Sequence, residues 1–155
     1  MIDKGESMRA VVQRTTGARV EIGGRTVGRV EKGLCVLLGV DVQDTDFDAD
    51  YICDKLLGLR IFDDENGVPN RSVVEIGGGI LLISQFTLLG DARKGRRPSY
   101  SNAARPETAV PLYERCIARL SEVVPVETGE FGADMQVTLT NDGPFTILLD
   151  SRRNF

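Results

Sequence analysis

Histidine and tryptophan are both absent from this 155-residue chain. Without histidine there is no Ser-His-Asp or Cys-His activation of a nucleophile, and most catalytic zinc sites lose their usual ligand. Proton transfers then fall to carboxylates, backbone, water or a substrate. Cysteine is scarce. Cys35, Cys53 and Cys116 are odd in number and far apart, with no C-x-x-C pair. That spacing argues against zinc and for free, buried thiols in a reducing compartment. No apolar run approaches the ~20 residues of a membrane span. Met1–Ser7 is polar and lacks the apolar core of a signal peptide. Those seven residues are expected to be a disordered extension or tag, with a single domain over 8–155. The net charge of −4 excludes coating of nucleic acid by bulk attraction.

What is present reads as an ordinary globular domain, 41% hydrophobic and 27% charged. Strands are expected at Arg9–Gln13, Ala18–Ile22 and Thr26–Val30, the last two joined by a tight turn at Gly23-Gly24. Leu34–Val40 is a continuous apolar run that suits a strand buried on both faces. Asp44 or Thr45 can cap a helix running to about Leu59, with acids crowding its first turn. Asp63–Gly67 is a polar turn, and Val73–Ile76 and Gly79–Leu88 read as strands. Gly90–Arg105 is a loop without periodicity. Loops that long in a compact domain are usually functional or mobile. Glu107–Leu120 has one apolar face and is the second helix. Strands follow at Val123–Glu127, Met135–Thr140 and Phe145–Leu149. The fold class is therefore α+β: a strand-rich, mixed or antiparallel sheet, layered or barrel-like, with two helices.

Several segments could carry chemistry. Asp44, Asp46, Asp48 and Asp50 imitate the opening of a calcium loop, but Ala49 and Lys55 occupy the positions that need Gly and Glu. No metal site is expected. The Gly23-Gly24 and Gly77–Gly79 clusters lack the Lys-Ser/Thr of a phosphate loop and read as turns. Ser84-Gln85-Phe86-Thr87 ends the apolar run Ile80–Ile83, placing hydroxyls, an amide and backbone N–H groups at the end of a buried strand. With no base nearby, Ser84 or Thr87 is a poor nucleophile, yet backbone N–H groups can stabilise an oxyanion. Arg93, Lys94, Arg96 and Arg97 are concentrated within five positions of an acidic protein, followed by Tyr100, and suit phosphate or carboxylate recognition. Phe131 and Met135 are either core residues or an apolar slot for a base. Asn141-Asp142-Gly143-Pro144 between two apolar runs reads first as a turn.

In this order, these segments resemble the D-aminoacyl-tRNA deacylase family of D-tyrosyl-tRNA deacylase type. The likeness begins at Met8-Arg9-Ala10-Val11-Val12-Gln13-Arg14. It continues through Gly33–Val40, Leu59–Phe62, Ser84–Leu88 and Arg93–Ser99, and ends with Val126–Gly129, Phe131–Met135 and Asn141–Thr146. It spans Met8 to Ser151. Each motif alone is weak, and the ordered set is specific.

The resemblance implies a cytoplasmic homodimer, without cofactor, that hydrolyses the ester of a D-amino acid on the terminal adenosine of tRNA. It also implies hydrolysis of glycine mischarged on tRNA-Ala. Active sites are expected at the subunit interface. A cis Gly143-Pro144 pair from one subunit is expected to reach into the other's pocket, rejecting L-amino acids, with Arg14 steadying it and Asn141 beside it. Phe86 and Thr87 N–H groups are expected to hold the oxyanion, and Ser84, Gln85 and the Thr87 hydroxyl to line the site. Phe131 and Met135 are expected to hold the adenine, and Arg93, Lys94, Arg96 and Arg97 to meet phosphates. The family leans on the substrate's ribose 2′-OH, while an older reading makes Thr87 a nucleophile. Phe145 stands where valine is common in the family. A silent tRNA-end or amino-acid-binding module of the same fold is the alternative. A Thr-nucleophile amidohydrolase needs an N-terminal Thr, and Thr87 is internal.

Overall fold

The computed structural model describes residues 5–155. Its spine is one long strand, β1 (Arg9–Ile22), rather than the two separate strands expected. Gly17 does not break it, because the Thr15 hydroxyl bonds both the N–H and the C=O of Gly17 and bridges the bend. One edge of β1 pairs antiparallel with β3 (Gly33–Gly39) and then with β2 (Arg25–Val30). Its other edge pairs along nearly its full length with β8 (Gln136–Asp150). Beyond β3 the sheet becomes parallel, through β6 (Gly79–Ser84) to β7 (Val126–Thr128). The sheet curls until β2 meets β7. A side chain at Gly28 would collide with the Thr128 backbone, so glycine is what lets the two strands approach. The result is the mixed, nearly closed, barrel-like sheet with two helices that the sequence called for.

Strand alternation divides two cores between the sheet's faces. Leu34, Val36, Leu38, Ile80 and Leu82 point toward helices α1 (Asp46–Gly58) and α2 (Pro106–Ser121). Cys35, Leu81 and Ile83 point the other way, into the curl, with Ala18 and Val20. Both runs are apolar at every position because both faces are covered. Each fully buried Leu or Ile contributes about 1.5–3 kcal/mol. The thiols of Cys35, Cys53 and Cys116 are free and buried, and burial pushes Cys35 up to about 11. Helix α1 starts at a capping box, Thr45 with Asp48. Among the described residues no helix is long and apolar enough to cross a membrane.

Two further local expectations need correction. Val73–Ile76 forms turns instead of a strand: the Ser72 hydroxyl accepts from Glu75 N–H and the Glu75 carboxylate from Ser72 N–H. That reciprocal cap outweighs the β-preference of two valines and an isoleucine. The strand expected to reach Leu88 stops at Ser84 and becomes a 3₁₀ turn, Phe86–Leu89. A small hairpin, β4 (Phe62–Asp63) with β5 (Pro69–Arg71), frames the polar turn. Of the extension expected over 1–7, residues 1–4 lie outside the described residues. Ser7 is buried and donates to the Asp150 carboxylate at 2.6 Å, Glu6 accepts from the Asn102 amide at 2.7 Å and the Gly5 carbonyl from the Asn154 amide at 3.0 Å.

Candidate active site

The Asn141–Pro144 segment is not a turn joining two strands. Both flanks belong to β8 and run the same way along β1. Gln13 pairs with Thr146 and Thr15 with Asn141, so Arg14 alone faces the four residues Asp142–Phe145. The excess residues bulge out of the ladder. Arg14 fixes that bulge. It is 9% exposed, and its Nε donates to the Asp142 carbonyl at 3.0 Å while Nη1 donates to the Ile61 carbonyl at 2.7 Å. Its guanidinium lies 4.5 Å from the centre of the Phe145 ring, with the Asp63 and Asp142 carboxylates each 3.6 Å away. Asn141 closes the other side, accepting from Phe145 N–H and donating to the Thr146 hydroxyl, both at 2.8 Å. Gly143 has φ of +130°, and the Gly143–Pro144 peptide is cis.

A second constellation forms at the end of β6. Ser84, Gln85 and Phe86 meet Phe131 and Met135 around a cleft of about 290 Å³ that Ile83 and Val137 also line. Here the sequence-distant candidates converge. Gln85 N–H is anchored to the Leu38 carbonyl at 2.7 Å, and the Gln85 amide donates to the Thr87 hydroxyl. The first internal bond of the 3₁₀ turn is Leu88 N–H to Gln85 C=O, so the Phe86 and Thr87 N–H groups precede it. Tyr113 braces the strand below. Its hydroxyl donates to the Leu82 carbonyl at 2.6 Å, and burial pushes the phenol up to about 12. The Tyr113 ring tilts against Phe131, whose packing therefore serves core and cleft together.

Thr87, next along the 3₁₀ turn, does not line this cleft, and neither do Arg14, Asn141, Gly143 and Pro144. The bulge lies beside Arg14, which pairs with Leu34, whereas the cleft hangs from Leu38 and two further strands along. Val137, which lines the cleft, and Gly143 lie six positions apart on β8, about 20 Å at a rise of ~3.3 Å per residue.

The basic loop is exposed and is pinched at its base by paired bonds between Asp91 and Ser99, both 2.8 Å. Its four cations are not equivalent. Arg93 grips the Asp91 carboxylate through two bonds, of 2.9 and 2.7 Å, and holds that carboxyl well below the usual carboxylate range. Lys94, Arg96 and Arg97 project from the exposed arc. Sequence reasoning missed the Ile61 and Asp63 anchors of Arg14, and also the edge-on pairing of Phe86 with Tyr100, whose ring centres lie 5.2 Å apart. No local pattern signals either, since both join segments distant in the chain.

Residues 11–150 match the family model described as D-Tyr-tRNA(Tyr) deacylase. The chain belongs to that family. Membership makes it a deacylase, a hydrolase of carboxylic ester bonds. It is 57% identical over 148 residues to a D-aminoacyl-tRNA deacylase of Kosmotoga olearia, covering 96% of this chain and all of that one. Deacylases of Thermosipho africanus and Clostridioides difficile are each 56% identical over 149 residues, with the same coverage. Among solved structures, one described as c-Myc DNA unwinding element binding protein superposes with a TM-score of 0.87 at 39% identity, covering 92% of this chain and 97% of that one. A probable eukaryotic D-amino acid tRNA deacylase reaches 0.81 at 19% identity over 92% and 98%, a likeness of fold.

Proposed function

We propose that this deacylase hydrolyses the ester joining a D-amino acid to the terminal adenosine of tRNA, and likewise glycine mischarged on tRNA-Ala. The observation that carries the reading is the cleft where Ser84–Phe86 meets Phe131 and Met135. One wall offers an aromatic ring and a thioether for a flat base. The other brings the Ser84 hydroxyl, the Gln85 amide and the backbone of Phe86.

In this reading Phe131 and Met135 hold the adenine. Phe86 and Thr87 N–H groups receive the negative charge that develops on the ester oxygen. Ser84, Gln85 and the Thr87 hydroxyl position water or the ribose. With no histidine in the chain, the ribose 2′-OH beside the ester supplies the missing proton-transfer group. Arg93, Lys94, Arg96 and Arg97 meet tRNA phosphates, with Arg93 doing so from its Asp91 pair.

Selection of the D-enantiomer follows from the bulge. Gly143 and Pro144 carbonyls accept from the substrate's α-ammonium and crowd the side of Cα where an L side chain projects. Rejection, not attraction, then sets specificity, and glycine passes because it has nothing to reject. Arg14 and Asn141 keep the two carbonyls in place. Since the bulge lies far from its own chain's cleft, it serves the cleft of a second copy, in a homodimer with active sites at the interface. An apolar surface supports that pairing: cross-strand partners Val11 and Leu148 face away from the helices, and Leu148 is 55% exposed. Free thiols agree with a cytoplasmic setting.

The test is parallel hydrolysis of D- and L-aminoacyl-tRNA by the full chain and by Pro144→Ala. Cleavage of D-esters only, with L-esters admitted by the variant, is expected. Absence of any D-ester cleavage overturns the reading in favour of a silent tRNA-end binder.

A further inference from the structure

Phe86 is a wall shared by two clefts. One is the cleft of Phe131 and Met135. The other measures about 570 Å³ and is lined by Val42, Phe86, Tyr100, Ala103, Ala104 and Arg105 among others. Phe86 and Tyr100 are 54% and 41% exposed although both are aromatic, and they meet edge to face at 5.2 Å. Exposed aromatic faces lining a cleft are available to stack on the flat face of a base. Tyr100 follows the basic loop directly, and Arg105 is exposed at the cleft's edge. Phe86 thus joins the two clefts, Tyr100 lines the second, and Arg105 is the cation that lines it.

We propose that the second cleft binds the nucleotide on the 5′ side of the terminal adenosine, its base stacked on Tyr100 and its phosphate paired with Arg105. The proposal rests on the tRNA-deacylase reading above. A single-stranded 3′ end is bound most economically by aromatic faces for successive bases beside cations that follow its backbone. The competing occupant is the side chain of the D-amino acid. The cleft's volume falls within the ~300–1,000 Å³ of sites that enclose whole small molecules. The exposed guanidinium of Arg105 in its lining also has no use for an uncharged side chain.

The experiment compares two esters in the full chain: D-tyrosyl-tRNA, which carries the preceding nucleotides, and D-tyrosyl-adenosine, which ends at the terminal one. Tyr100→Ala is expected to raise KM for the tRNA ester about tenfold, the order of one lost base stack. It should leave kcat on that ester and kcat/KM on the adenosine ester unchanged. Tyr100→Phe restores the KM, because a phenyl face stacks as well. Arg105→Gln lowers the salt dependence of tRNA binding by about one unit of log–log slope. Equal losses on both esters place the D side chain in the cleft, or make Tyr100 merely a prop for Phe86, and overturn the proposal. Unchanged KM on both overturns it as well. If the unsubstituted chain cleaves neither ester, it is the deacylase reading that falls.

Discussion

Arg14 and Asp142 are tied twice: the Arg14 Nε donates to the Asp142 carbonyl at 3.0 Å and stands 3.6 Å from the Asp142 carboxylate. One residue of β1 thereby holds four residues of β8 out of register. Nη1 simultaneously reaches the Ile61 carbonyl, so the bulge is fastened to the segment leading into the β4–β5 hairpin. A guanidinium can serve two carbonyls and a ring face together because its donors form a fixed planar fork.

Arg14→Lys should loosen the bulge without unfolding the chain. An ammonium is a point charge and cannot span Ile61, Asp142 and the Phe145 face at once. The expected outcome is a D-to-L preference reduced on the order of tenfold, the scale of one or two lost hydrogen bonds. Paired D- and L-aminoacyl-tRNA assays check it, and an unchanged ratio would remove Arg14 from the selectivity argument.

Gly143→Ala should act more harshly. At φ of +130° an L side chain is strained whatever the space, and its Cβ would sit 3.1 Å from Arg14 Nη2. A cost of roughly 1–3 kcal/mol is expected, seen as a melting temperature lower by several degrees. Turnover of D-esters should fall with it. A variant that melts and turns over normally would show that this backbone relaxes freely.

Thr87→Ala separates two mechanisms. The Thr87 hydroxyl receives the Gln85 amide, and with no histidine anywhere it has no imidazole to activate it. Turnover lowered only about tenfold, the scale of one lost positioning hydrogen bond, is expected, whereas a D-aminoacyl-tRNA lacking the terminal 2′-OH should be cleaved orders of magnitude more slowly. Total loss of turnover with intact binding in Thr87→Ala would instead make the threonine the nucleophile.

Asp44 predicts an unusual pH dependence. It is buried and accepts Met8 N–H at 3.0 Å and Asp41 N–H at 2.7 Å. Burial, aided by the nearby Asp48 and Asp41 carboxylates, raises it from 3.8 to about 7, against the pull of the two N–H groups. Between those values the folded chain keeps a proton that the unfolded chain has released. Its contribution is therefore full below about pH 4 and is lost as pH rises toward 7. Asp50 and Asp150 are shifted downward, and their contributions disappear only in more acidic solution. Denaturant titrations between about pH 5 and 8 should show stability falling toward neutrality, with the slope reduced in Asp44→Asn. A flat profile in the unsubstituted chain would mean that Asp44 stays ionised.

Much of the fold was legible locally. Leu34–Val40 read as a strand buried on both faces because every position is apolar, and its alternate residues do enter two separate cores. The two helices were marked by a capping residue, Thr45, and by the apolar face from Ala109 to Leu120. What misled were places where two local signals compete. Val73–Ile76 has strand composition, but its turn is decided by hydrogen bonds that Ser72 and Glu75 exchange across three residues. Asn141–Pro144 has turn composition, but the same strand lies opposite both of its flanks.

The sequence by itself determined the absence of histidine chemistry, the strand-rich class, and an ordered set of motifs that placed the chain in its family. Those are properties of composition and spacing, which a linear chain carries whole. Only the tertiary structure decided that Ser84–Phe86 and Phe131–Met135 share one cleft, that Arg14 faces a four-residue excess, and that bulge and cleft are held apart in one chain. These are facts of strand register and sheet curl. They arise from pairings between distant residues, 128 positions apart for Arg14 and Asp142, which no local periodicity encodes.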